Sequence, residues 1–309
     1  MTTHDDDTTH GDDLMTLTTG AGPATSTPAP RAARTGGAGR PNWLGATAGW
    51  IWLAIVVVPI YWIIITSFKP QSDYFTQNPF QPPTAPTLDS YQLVIESDFA
   101  QYFLNSVIVS IGTIVPAAAV SFMAAYAIVR GSGSWFLRGV NSLFLAGLAI
   151  PLQATIIPVY LIIIRLHLYD SLLGIILPSI AFSIPLSVLV LSNFVRDVPK
   201  ELFESMRMDG ASEWTMLLRL ALPLTRPALV TVCIYNGLAV WNGFLLPLVL
   251  TQSPDRRTLP LALWTFQGQY SVNVPAVLAA VVLTTLPVVI LYAVGRRQLL
   301  SGLTAGFSK

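Results

Sequence analysis

Charge is scarce in this 309-residue chain: Asp, Glu, Lys and Arg make up 11% of it, less than half the share of about 25% found in soluble domains. With 53% of residues hydrophobic, the composition argues against a water-soluble enzyme. The 17 basic and 16 acidic residues leave a net charge of +1, so no basic field exists to attract nucleic acid. A single cysteine, Cys233, excludes an internal disulfide and a thiolate zinc site, and the three histidines, at 4, 10 and 167, are too scattered for a metal centre. No metal or cofactor is expected. Lysine is rarer still. Lys69, Lys200 and Lys309 follow Phe68, Pro199 and Ser308, whereas a nucleotide-binding phosphate loop needs a lysine after its last glycine.

What the chain has instead is long uncharged runs. A bilayer core of about 30 Å takes roughly 20 apolar helical residues to cross. Six stretches meet that length, at 46–68, 103–129, 140–164, 172–195, 229–250 and 275–295, and none contains Asp, Glu, Lys, Arg or His. The chain therefore reads as an all-α integral membrane protein with a six-span domain over 43–309. Residues 1–42, rich in Thr, Asp, Gly, Ala and Pro, read as a disordered tail rather than a signal peptide. The acidic and histidine residues in that tail lack a frame to hold a metal.

Basic residues fall unevenly between alternate connections. Thirteen lie in the tail, the loop at 130–138, the segment 196–226 and the carboxyl terminus; four, Lys69, Arg165, Arg256 and Arg257, lie on the other side. The positive-inside rule then makes both termini and the segment 196–226 cytoplasmic.

Ionisable side chains inside the bilayer are the usual equipment of proton-coupled carriers, and their absence disfavours that class. Every span carries proline: Pro59, Pro116, Pro151 with Pro158, Pro178 with Pro185, Pro247, and Pro287. Each removes a backbone donor and tends to kink its helix. Polar residues form uncharged stripes, with Thr231, Tyr235 and Asn242 on one face of the fifth span and Ser106, Ser110 and Thr113 on one face of the second. With Trp241 as an aromatic surface, these could line a route for a neutral, hydroxyl-rich solute. They could equally be interhelical hydrogen bonds. Ser179, Ser183 and Ser187 look like a close-packing seam.

The segment 196–226 predicts a helical hairpin. Asp197 and Pro199 signal a helix start, Leu202, Phe203 and Met206 share one face, and Gly210 ends the helix. Ser212 can cap a second helix with Trp214, Leu217 and Leu218 on its apolar side, until Leu222 and Pro223 break it. The run Glu204-Ser205-Met206-Arg207-Met208-Asp209-Gly210-Ala211-Ser212, followed by Leu222-Pro223, resembles the EAA loop of the permease subunits of bacterial ATP-binding-cassette importers. Ser205 and Met206 stand where that family usually has two alanines. The maltose-type carbohydrate permeases are resembled more specifically, through Asn105-Ser106, Trp241-Asn242 and the ending Gly302-Leu303-Thr304-Ala305-Gly306.

That resemblance covers about Trp43 to Lys309 and implies the importer permease fold. It implies a hairpin that docks on a separate ATPase through Glu204, Ser205, Met206, Asp209, Gly210, Ala211 and Pro223. It further implies a second permease, a pair of ATPase subunits and an external sugar-binding protein, with a sugar as cargo. The outer loops at 69–102 and 251–274 would receive the binding protein, with Tyr74, Phe75, Trp264, Phe266 and Tyr270 as anchors or as interfacial belt residues. A permease for a polyamine or amino acid, and a sodium-coupled carrier, are the alternatives. No enzyme constellation is present in the spans.

Overall fold

The computed structural model describes residues 43–263 and 272–305. Its helices are α1 (Trp43–Ser67), α2 (Gln71–Tyr74), α3 (Asp89–Glu96), α4 (Phe99–Arg130), α5 (Trp135–Gly147), α6 (Leu152–Arg165), α7 (Leu172–Arg196), α8 (Lys200–Met208), α9 (Glu213–Met216), α10 (Leu222–Trp241), α11 (Leu245–Leu250), α12 (Leu259–Ala262) and α13 (Val274–Ala305). A π turn at Leu217–Ala221 joins α9 to α10, and a 3₁₀ turn lies at Pro254–Arg256. Contacts divide the chain into residues 1–52 and 53–309. In the first unit, the described part is the opening of α1, where Thr47 Oγ1 donates to the Trp43 carbonyl at 2.8 Å.

The second unit is organised around α4, α7 and α10. Small residues let α4 and α7 lie close, Ala117, Ser121 and Ala125 on one and Ser183 and Ser187 on the other. The serine seam is a packing device. Ser179, Ser183 and Ser187 donate to carbonyls four residues back, and Ser187 Oγ accepts from Asn236 Nδ2 of α10 at 2.8 Å. The stripe Ser106, Ser110 and Thr113 is buried in the same interior.

Four helices are long and apolar enough to cross a membrane alone: Gly45–Ser67, Phe99–Arg130, Leu172–Arg196 and Glu213–Trp241. One of the other two expected spans differs from its sequence reading. The third, 140–164, is two helices, α5 and α6, bent by 109°. Pro151 is the cause: it has extended backbone (ψ 136°) and disfavours helix in the residue before it. The carboxyl-terminal ends of α4 and α7 share one apolar cluster with Phe203, while Ile163 of α6 packs at the opposite end with Ile175 and Ile176 of α7. The sixth expected span, 275–295, falls within the single helix α13, Val274–Ala305.

The fifth span, 229–250, also breaks. Leu238 O accepts from both Asn242 N (3.1 Å) and Asn242 Nδ2 (2.8 Å), and Gly243 N turns to Val240 O at 3.0 Å. This local competition for carbonyls tightens and ends α10. A Cβ at Gly243 would sit 3.0 Å from Val240 O, a tight contact that glycine avoids. By contrast Pro59, Pro116, Pro158, Pro178, Pro185 and Pro287 lie inside continuous helices. Of the expected proline kinks, only Pro151 coincides with a break in the helix.

Candidate functional site

The hairpin forms where the local chemistry demands it. Helix α8 ends in a Schellman motif: Ala211 N donates to Met206 O at 2.9 Å and Gly210 N to Arg207 O at 3.0 Å. That closure puts Gly210 at φ +79°, the left-handed region that costs a residue with a Cβ about 1–2 kcal/mol. Ser212 then caps α9, its Oγ accepting from Thr215 N at 3.3 Å. At the start, Pro199 rather than Asp197 is the capping position, and α8 begins at Lys200.

Two expectations about the hairpin's faces are corrected. Phe203 is buried and Met206 half-buried, but Leu202 is 41% exposed. In the second arm the buried residues are Met216 and Leu217, whereas Trp214 and Leu218 are 63% and 55% exposed. The break expected at Leu222-Pro223 is absent. The π turn widens the helix by one residue just before Pro223, which relieves the clash of its ring with the preceding turn, and α9 runs through into α10. Pro223 is exposed on this continuous helix.

Glu204, Ser205, Asp209 and Gly210 are all exposed, and Met206 and Ala211 half-buried. Among the described residues, the carboxylates of Glu204 and Asp209 have no hydrogen-bond or ion-pair partner, and Met208 beside them is 88% exposed. The hairpin thus presents a free polar rim with an apolar tip. Its root is fastened to the spans. Phe203 is 2% exposed, sits among Tyr126, Val195, Met216 and Leu217, and carries the Arg130 guanidinium 4.3 Å above its ring. Glu213 closes the arms by accepting from Arg207 Nη2 at 2.5 Å and ties them to α4 by accepting from Tyr126 Oη at 2.7 Å. Tyr126, Arg130 and Glu213 carry no sequence signal for this role, because the contact between α4 and α9 spans 87 positions.

A second feature lies within the spans. A cavity of about 410 Å³ is bounded by α4, α5, α7, α10 and α11, with Ser106, Ser183, Tyr235, Asn236 and Thr258 among its walls and no charged side chain. This size lies in the ligand range and the lining suits a neutral polar solute. Of the four expected pathway residues, Tyr235 lines it. Thr231 lines a smaller neighbouring cavity of about 120 Å³ and donates to Pro227 O. Trp241 and Asn242 line neither. Trp241 Nε1 donates to Thr284 O at 3.3 Å and its ring meets Phe103 edge-on, so it fastens α10 to α13 and α4. Asn242 caps α10. Asn236 and Thr258, which the helical wheel did not single out, take their place; the Thr258 hydroxyl is buried with no partner among the described residues.

The opposite end is a stitched set of loops. Asn105 Nδ2 donates to Asp255 O and Arg257 O at 2.8 and 2.9 Å, and Ser106 Oγ accepts from Leu259 N at 2.8 Å. Lys69 is buried, its Nζ donating to Asn78 O at 3.0 Å. Phe75 is 75% exposed and Tyr74 half-buried, while Trp264, Phe266 and Tyr270 lie outside the described residues. So do the tail 1–42 and Gly306. Asp170, at φ +56°, accepts from Ser253 Oγ, from Gln252 N at 2.8 Å and from Ser253 N at 2.9 Å.

These donors favour the charged carboxylate and hold Asp170 below the usual Asp range, the Ser253 hydroxyl contributing most. A depressed folded value means the tie is at full strength above the unfolded carboxylate range and is lost as acid protonates the folded group. Solvent screening limits the gain to about 1 kcal/mol or less. In Asp170→Asn the acid-induced fall in thermal midpoint should shrink relative to wild type, a difference scanning calorimetry would detect; identical pH profiles would show that Asp170 does not fasten these loops.

Comparison with known proteins follows the same lines. The family model "Binding-protein-dependent transport system inner membrane component" matches residues 117–299, more than half the chain. A putative ABC transporter permease protein of Caldicellulosiruptor sp. (strain Rt8B.4) is 40% identical over 84% of this chain and 94% of its own length. A diacetylchitobiose uptake system permease protein of Streptomyces coelicolor is 30% identical, covering 83% and 85%. Among solved structures, a bacterial ABC transporter involved in import of the acidic polysaccharide alginate matches with TM-score 0.74 at 20% identity, covering 82% of this chain and 95% of that one. The chain belongs to the inner-membrane components of binding-protein-dependent transport systems, and is a multi-pass membrane permease subunit, a transport component and not an enzyme.

Proposed function

We propose that this permease forms, with a second permease subunit, the path for a neutral di- or oligosaccharide, driven by two separate ATPase subunits and fed by an external sugar-binding protein. The hairpin is the coupling element and faces the cytoplasm, as do both termini, and the chain crosses the bilayer six times with its third crossing broken at Pro151. The observation that carries this reading is the asymmetry of the hairpin: exposed, unpartnered Glu204 and Asp209 at its rim, and Phe203 and Glu213 at its root locked to α4. Closure of an ATPase around the rim would move the root, and with it the inner ends of α4 and α7. The uncharged cavity lined by Tyr235 and Asn236 supports a hydroxyl-bearing cargo, and the diacetylchitobiose relative supports a sugar.

The test is uptake by the complete assembly in proteoliposomes, with ATP inside and the binding protein outside. Labelled diacetylchitobiose and other neutral oligosaccharides are offered against spermidine. Uptake of a neutral oligosaccharide that stops when the ATPase is inactivated is expected. Uptake of spermidine alone would make the cargo wrong, and uptake that survives ATPase inactivation would make the chain a secondary carrier.

A further inference from the structure

We propose a binding site for the phosphate of an anionic phospholipid at the hairpin end of the protein, in a cavity of about 520 Å³ between the ends of α4 and α7 and the starts of α5 and α8. Four cations line it, Arg130, Arg138, Arg196 and Lys200, and no carboxylate does. Glu213 acts on Arg130 from the other side, but Arg138, Arg196 and Lys200 have no ion-pair partner among the described residues, and such a concentration of like charge costs free energy unless an anion neutralises it.

Three further observations point to a phosphate. Helices α5 and α8 each place their first turn in the cavity wall, through Leu137 with Arg138 and through Lys200 with Phe203. Their capping residues, Ser134 and Pro199, make no side-chain cap, so first-turn N–H groups are left open on both. Arg130 is already oriented, stacked on the Phe203 ring, yet its Nε is buried with no hydrogen-bond partner among the described residues.

The level of the cavity favours a lipid over a soluble phosphate. Trp135 and Phe136, which open α5 beside it, are 79% and 60% exposed, the pattern of aromatic residues at the headgroup boundary of a bilayer. Basic pockets between spans on the cytoplasmic side are suited to anionic headgroups. Lys200 and Phe203 belong to α8, so a headgroup seated here braces the root of the hairpin; this consequence rests on the coupling role proposed above, whereas the binding itself does not.

The experiment uses the intact assembly in phosphatidylcholine nanodiscs containing phosphatidylglycerol, with lipid retained after detergent extraction measured by mass spectrometry. Arg138→Gln with Arg196→Gln should weaken retention of phosphatidylglycerol roughly thirtyfold, while Arg138→Lys with Arg196→Lys retains it, since each basic residue near an anionic surface contributes about fivefold. Both double variants should assemble at wild-type levels. Equal retention by wild type and the glutamine pair overturns the site. Displacement of phosphatidylglycerol by inorganic phosphate at millimolar concentration overturns the lipid assignment in favour of a soluble anion. Loss of the ATPase from the glutamine pair with lipid retention unchanged overturns it in favour of a protein-docking surface. Failure of the coupling reading would instead abolish any link between retention and transport while leaving retention intact.

Discussion

Gly210→Val is expected to abolish uptake while leaving the protein in the membrane at its normal level. The backbone at Gly210 has φ +79°, and a Cβ built there meets nothing within 4 Å. Steric clash with neighbours is therefore not the mechanism; the cost is the left-handed backbone, about 1–2 kcal/mol for a residue with a Cβ and more for a β-branched one. That cost is small beside membrane insertion, which depends on the spans. It is comparable to the net worth of the two Schellman bonds, about 1–3 kcal/mol together, from Ala211 to Met206 and from Gly210 to Arg207, that set the angle between α8 and α9. Gly210→Asn, which tolerates the left-handed region, should keep a substantial part of the activity. Uptake and immunoblot of membranes measure both; transport by the valine variant at wild-type rate would mean that the turn does not orient a docking surface.

Phe203→Ala attacks the other end of the hairpin and should be as severe. Phe203 is 2% exposed, packs in the cluster with Tyr126, Val195, Met216 and Leu217, and supports Arg130. Truncating a buried phenylalanine costs about 3–5 kcal/mol, several times more than the exposed pair between Arg207 and Glu213, whose side chains are 60% and 53% exposed, can restore. The root should loosen from α4 and α7, so ATP hydrolysis continues without sugar accumulation. Leu202→Ala, one residue away but 41% exposed, serves as the control and should transport normally. Equal effects of the two substitutions, read as sugar accumulated per ATP hydrolysed, would show that burial at Phe203 does not transmit force.

The four helices long and apolar enough to cross a membrane were legible in the sequence because a bilayer expels charge from every residue of a crossing, a demand each stretch meets on its own. The interruptions were not. Pro178 and Pro185 lie in an unbroken α7 while Pro151 precedes the first residue of α6 and separates it from α5, and spacing along the chain does not tell the two cases apart. The turn at Gly210 and the cap at Ser212 were legible because backbone sterics and a side chain reaching three residues ahead are local. In the second arm Leu217 lies inside as expected, but Trp214 and Leu218 lie outside and Met216 inside, because Met216 and Leu217 pack into a cluster with Tyr126, Val195 and Phe203, contacts that local spacing does not show. Among the candidate pathway residues, helical spacing picked out Tyr235. Spacing also suggested Asn242, whose amide ends the helix and which lines neither cavity, and passed over Asn236, which lines both and whose buried partner Ser187 lies 49 positions earlier.

The central claim is that the exposed tip of the hairpin meets an ATPase on the cytoplasmic side. Met208 is 88% exposed there, and Cys233, the one native thiol, can be removed to leave a clean background. In assembled transporters carrying Met208→Cys with Cys233→Ala, the account predicts a disulfide to a cysteine placed in the ATPase cleft, formed in a nucleotide-dependent way, and no reaction with a membrane-impermeant thiol reagent applied from outside. Labelling of Met208→Cys from the external face, with no crosslink to the ATPase in any nucleotide state, would contradict it.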